Sequence, residues 1–164
     1  MNGRLDMQGD LFNSKVASFF EGFPELKVKS RVGKVGRLRE LQDHLGDIDV
    51  LVGDKQKKRI LVIECKDLAA SRTPYEMANE FASLFVGTQG KKSIMEKHSA
   101  RMSWVASNKN AIVQFLELNP AIRWEVLPLI VVDQPLISSY VRTCQIQLIS
   151  FEELKRFWPN IRRA

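Results

Sequence analysis

Two short apolar runs separated by a polar turn constrain this chain more than any other feature. Ile48–Val52 and Ile60–Cys65 are rich in β-branched residues, and Gly53–Arg59 between them carries glycine, aspartate and lysine. That pattern specifies a β-hairpin. The second run is apolar until Glu64 and Lys66 interrupt it. Alternate residues of a strand share a face, so Glu64 and Lys66 point the same way, as do Asp47 and Asp49. A turn centred between Gln56 and Lys57 sets Asp49 opposite Glu64 and Asp47 opposite Lys66. A slip of one residue sends the two carboxylates to different faces.

Carboxylates that meet across two strands repel one another, and burial adds a desolvation cost. A divalent cation removes both problems. Magnesium suits such a pair, since it takes oxygen ligands and keeps waters or substrate phosphate in its remaining positions. A lysine beside it holds a nucleophilic water or stabilises charge on a phosphate. The plainer alternative is that Glu64 and Lys66 form an ordinary ion pair near a strand end.

The Gly46-Asp47-Ile48-Asp49 strand, the short turn and the Glu64-Cys65-Lys66 ending together resemble the PD-(D/E)XK nuclease superfamily. Within it they are most similar to Holliday-junction resolvases and to restriction endonucleases that cut modified DNA. The resemblance implies a restriction-endonuclease-like α/β fold with a mixed β-sheet flanked by helices. It makes Asp49 and Glu64 the ligands of Mg2+, with Mn2+ as a substitute, and adds the backbone carbonyl of Cys65 as a further ligand. Lys66 becomes the residue that assists attack on a DNA phosphodiester. Asp47 stands where a glutamate is often found and is an accessory candidate. Many members carry a glutamate on the first helix just after an aromatic residue; here Asn13 follows Phe12, with Asp10, Glu21 and Glu40 as alternatives. The rival reading is a catalytically inactive nucleic-acid-binding or assembly module of the same fold.

The rest of the 164-residue chain is consistent with one α/β domain spanning 1–164. Phe12, Val16, Phe19, Phe20 and Phe23 follow helical spacing, and Gly22 with Pro24 ends that helix. Lys27–Val32 reads as a strand, and Gly33–Gly46 as a loop or short helix. Thr73, Pro74 and Glu76 form a capping box with proline at the first helical position. A further helical stretch runs from about Ser93 to Leu118, broken near Asn108–Asn110. Leu129–Val132 and Gln145–Ile149 read as strands. Ser150 and Glu153 cap a last helix with Leu154 and Phe157 on its inner face.

The net charge of +6 favours an anionic partner, nucleic acid or an acidic membrane surface. Lys34, Arg37 and Arg39 precede the active-site strand, and Lys97 and Arg101 lie one turn apart on a helix; both groups are candidates for phosphate contacts. Nothing in either group encodes sequence preference. His44 and His98 read as surface or helix residues, and the three tryptophans as packing. Two cysteines without CxxC spacing point away from zinc and toward a reducing cytoplasm. The first ten residues lack the apolar core of a signal peptide, and no apolar run reaches membrane-spanning length. Homodimerisation follows from the resemblance, because enzymes of this kind cut two strands. The chain works alone or as part of a larger protein or complex.

Overall fold

The computed structural model describes residues 3–35, 39–40, 45–68, 71, 73–137 and 146–161; the side chains of 3–8, 34, 39–40 and 159–161 are outside this description. The order of elements is α1 (Gly3–Glu21), β1 (Leu26–Val32), β2 (Lys34–Val35), β3 (Arg39–Glu40), β4 (Ile48–Asp54) and β5 (Arg59–Lys66). Then come α2 (Pro74–Phe81) with a π-helical turn (Ala82–Val86), α3 (Ile94–Ser107), α4 (Lys109–Phe115), β6 (Glu125–Val132) and β7 (Gln147–Ser150). A last helix, α5, covers Phe151–Ile161.

A five-stranded sheet has the order β1-β4-β5-β6-β7. β4 is antiparallel to both β1 and β5, whereas β6 is parallel to β5 and β7 to β6. This mixed sheet is covered by helices on both faces, an α/β architecture. On one face α1 and α5 bring Phe12, Val16, Phe20, Leu154 and Trp158 onto Val50, Val52, Ile63 and Val131. On the other, α3 and α4 bring Val105, Ile112 and Val113 onto Leu51, Ile60 and Val62. β5 is therefore buried on both sides, which is why its sequence is a nearly unbroken apolar run. Each fully buried valine or isoleucine there contributes about 1.5–3 kcal/mol of hydrophobic stabilisation.

The hairpin register is Val50↔Ile63, Leu51↔Val62 and Asp54↔Arg59, centred between Gln56 and Lys57 as the turn residues imply. Both strands run further toward the turn than their apolar runs, because Asp54 closes it: its Oδ1 accepts the backbone N–H groups of Gln56 and Lys57 at 3.0 and 3.1 Å. A Cβ at Gly53 would lie 2.8 Å from Leu118 Cδ1, so a larger residue there would displace that side chain.

Elsewhere the structure departs from expectation for identifiable reasons. Within Gly33–Gly46, expected as a loop or short helix, Lys34–Val35 and Arg39–Glu40 form a small antiparallel ribbon, Lys34↔Glu40 and Val35↔Arg39; residues 36–38 and 41–44 lie outside the described residues. β6 begins four residues before the expected Leu129 and passes through Pro128. The proline fits because β7 pairs with β6 only from Leu129 onward, leaving the preceding residues at the sheet edge. The capping box at Ser150 is present, with the Glu153 N–H donating to Ser150 Oγ at 3.2 Å. The inner face of α5, however, is Phe151, Leu154 and Trp158, whereas Phe157 is exposed. Trp158 stacks edge-on against Phe20 of α1 at 5.0 Å, which fixes the rotation of the helix and turns Phe157 outward. Among the described residues no helix is long and apolar enough to cross a membrane.

Candidate functional site

β4 and β5 stop pairing at Val50↔Ile63, and the site lies where they part. Continuing that register sets Asp49 opposite Glu64. The Asp49 side chain replaces the next ladder partner: its Oδ2 accepts the Cys65 N–H at 2.8 Å. Its Oδ1 accepts a hydrogen bond from Asn13 Nδ2 of α1 at 3.1 Å. Helix α1 reaches this point because Phe12 and Val16 anchor it on the same sheet.

Glu64 is only 2% exposed. Lys66 Nζ contacts its Oε1 at 2.8 Å. Its Oε2 forms a short, buried ion pair with Arg101 Nη1 of α3. The same guanidinium donates from Nε to the Leu45 carbonyl at 2.6 Å, so Arg101 ties α3 to the loop before β4. The spacing predicts that Arg101 shares a helix face with Lys97, as a candidate for phosphate contacts. Instead Arg101 is buried, while Lys97 is exposed. A buried charge needs a partner, and Glu64 supplies one from the strand beneath.

His98, expected as a surface or helix residue, lies on α3 and is fully buried on the same face as Arg101. Desolvation pulls its pKa down to about 4, against the Glu64 charge and the Val62 backbone, which favour the imidazolium. The imidazole is therefore neutral at pH 7.

Asp49 is pushed from 3.8 up to about 6, first by burial and then by the Glu64 charge; the Cys65 N–H and the Lys66 and Arg101 cations work the other way. Burial also opposes the Lys66 ammonium, but Glu64 and Asp49 outweigh it and hold its pKa above the ordinary lysine value. The Cys65 thiol is raised by burial and by the two carboxylates, which makes it inert.

Asp47 is exposed, and its Oδ1 lies where a Cβ on Gly33 would fall, 2.6 Å away. Asp10 pairs with Arg31 at 3.1 Å, and Glu21 is exposed. The side chains of Lys34, Arg37, Arg39, Glu40 and His44 lie outside the described residues. Sequence reasoning missed Arg101 as the partner of Glu64 and His98 beside it. It also missed Lys15, Asp67 and Asp133, which line a cleft of about 210 Å³ together with Leu11 and Phe12.

Among the described residues no three His, Cys, Asp or Glu side chains converge as a metal cluster. Asp49, Glu64 and the Cys65 carbonyl would offer oxygen ligands of the kind magnesium takes, which commonly include one or two carboxylates. Burial, and after it the Glu64 charge, raise the Asp49 pKa; a cation bound there would favour its ionised form.

No curated protein and no solved structure matches the chain. The sequence model of one family, described as anti-phage protein Upx-like, matches residues 20–143, which include Asp49, Glu64, Lys66 and Arg101 but not Asn13 or α5. The match covers well over half of the chain, which therefore belongs to the anti-phage Upx-like family.

Proposed function

We propose that the protein is a metal-dependent nuclease of the PD-(D/E)XK type that acts on DNA in defence against phage. One observation carries this reading: Asp49 and Glu64 come together where β4 and β5 part, with Lys66 bonded to Glu64. Asp49 and Glu64 would hold Mg2+ with the Cys65 carbonyl. An ion held there would supply Lewis-acid polarisation of a phosphodiester and charge stabilisation of its leaving oxygen. Lys66 remains an ammonium near neutral pH, so its part is to hold a water or a phosphate oxygen by charge, not to accept a proton. Asn13 orients the Asp49 carboxylate, and Arg101 holds Glu64 in place. The half-exposed Lys66 side chain leaves the site open to a substrate on that side.

The test is cleavage of plasmid and single-stranded DNA with magnesium or manganese by wild type, Glu64→Ala and Lys66→Ala. Cleavage that requires the metal and is lost in both variants supports the reading. Cleavage that survives both substitutions assigns the activity to another site.

A specific observation favours a second reading. The Arg101 guanidinium already neutralises Glu64, and the neutral Asn13 stands where many PD-(D/E)XK nucleases would carry a glutamate. An internal cation in place of a metal suits a binding or assembly module that keeps the fold without catalysis. A folded wild type that binds DNA or RNA but cleaves neither with any divalent metal selects this reading.

A further inference from the structure

A second polar cleft lies at the opposite end of the sheet. It encloses about 570 Å³ between the β4–β5 turn, the junction of α3 and α4, and the start of β6. A volume of this order accommodates a small ligand. Its lining includes Lys57, Lys58, Lys109 and Arg123, opposed by the single carboxylate of Glu125. Along β5, Lys58 and Glu64 are six residues apart, about 20 Å at the usual strand rise. The cleft is thus separate from the carboxylate pair.

Three features indicate a site for a ligand. The Lys57 ammonium is shielded from solvent and has no hydrogen-bond partner among the described residues. Asp54 is the acid nearest in the turn, yet its Oδ1 is taken by backbone N–H groups and its Oδ2 makes no hydrogen bond to Lys57. Lys58 has a left-handed backbone, φ 53°, a conformation that glycine adopts more easily. Its carbonyl accepts the Glu125 N–H at 3.0 Å, so the strained turn is fastened to β6. Finally, among the described residues none of the four cations is held in a salt bridge.

Like charges gathered around one concavity repel unless an anion joins them. We propose that this cleft binds a phosphate-bearing ligand with several negative charges. Either a free polyphosphate, such as that of a nucleotide, or consecutive phosphates of a nucleic-acid strand supplies this chemistry. Lysine ammoniums serve as point charges for phosphate, and the Arg123 guanidinium adds a bidentate contact.

Calorimetric titration with inorganic tripolyphosphate and, separately, with a short phosphorothioate oligonucleotide tests the proposal. The proteins compared are wild type, Lys57→Gln, the double variant Lys109→Gln/Arg123→Gln, and Lys91→Gln as an exposed control outside the cleft. Circular dichroism verifies that each is folded. Binding of tripolyphosphate that weakens about tenfold or more in the double variant, but not in Lys91→Gln, establishes a site for free polyphosphate. Binding of the oligonucleotide alone, with the same loss and a smaller salt dependence, assigns the site to strand phosphates. No binding of either probe by wild type, or unchanged binding in the double variant, overturns the proposal. Glu64→Ala retains this binding, which separates the cleft from any failure of the nuclease reading.

Discussion

At the scale of single residues, the buried group around Glu64 sets two expectations. Arg101 compensates a carboxylate that is 3% exposed at its side chain. Removing one member of a buried ion pair leaves an uncompensated charge, at a cost of about 3–5 kcal/mol. Arg101→Met is therefore expected to lower stability to urea by that order, and Glu64→Gln/Arg101→Met by much less than the sum of the single changes. A single Arg101→Met variant as stable as wild type would show that Lys66 alone satisfies Glu64. The second expectation concerns pH. His98 has its pKa depressed from 6.5 to about 4, so the unfolded chain takes a proton between those values that the folded chain refuses. Its stabilising effect is complete above pH 6.5 and is lost as pH falls toward 4. Asp49 acts in the opposite sense: raised from 3.8 to about 6, it makes the folded chain bind a proton first, and stability rises as pH falls through 6. The two slopes oppose one another in wild type, each limited to about 1.4 kcal/mol per pH unit. Metal-free Asp49→Asn should lose stability steadily from pH 6.5 to 4.5, while His98→Leu should gain it below pH 6. Chemical denaturation across that range measures both, and parallel curves for the two variants would refute the assignment.

At the scale of elements, local rules carried the sequence far and then failed where contacts span the chain. The hairpin register was legible because turn centre and strand periodicity agree, and the structure pairs Val50 with Ile63 accordingly. The capping boxes at Thr73 and Ser150 were legible because each is a signal of four consecutive residues. Asn13 was flagged as accessory, and it does contact Asp49. Helix α3 is expected from the sequence, but Arg101 reads there as a phosphate contact, whereas it is buried. Ile94, His98, Arg101 and Val105 recur at steps of four, three and four, the spacing of one helix face. That stripe was available in the sequence, but two of its members are polar. Only the sheet beneath, with Glu64 37 positions away in the chain, explains why Arg101 is buried. The expected β6 covers only Leu129–Val132, whereas the strand begins at Glu125 and runs through Pro128. That passage through Pro128 depends on where β7 begins, and no local pattern encodes that.

At the scale of the whole molecule, the sheet separates two kinds of polar chemistry. The end where β4 and β5 part holds a carboxylate pair reached from α1 and α3, and the turn end holds a cluster of cations. Between them both faces of β5 are packed with aliphatic side chains, so each site rests on a rigid support. Membership of an anti-phage family gives this arrangement a cellular test. If defence runs through the carboxylate pair, bacteria expressing Glu64→Ala should be plated by phage as efficiently as bacteria without the protein, while Lys91→Gln protects like wild type. Because Glu64→Ala leaves Arg101 buried without a partner, Glu64→Gln is the companion variant: it preserves shape and hydrogen-bonding capacity but removes the charge that a metal requires. Loss of protection in both variants, at protein levels equal to wild type, ties defence to the charge at Glu64. Protection retained by Glu64→Gln separates defence from metal chemistry and leaves a binding or assembly role, for which the cationic cleft and its Lys109→Gln/Arg123→Gln variant become the decisive comparison.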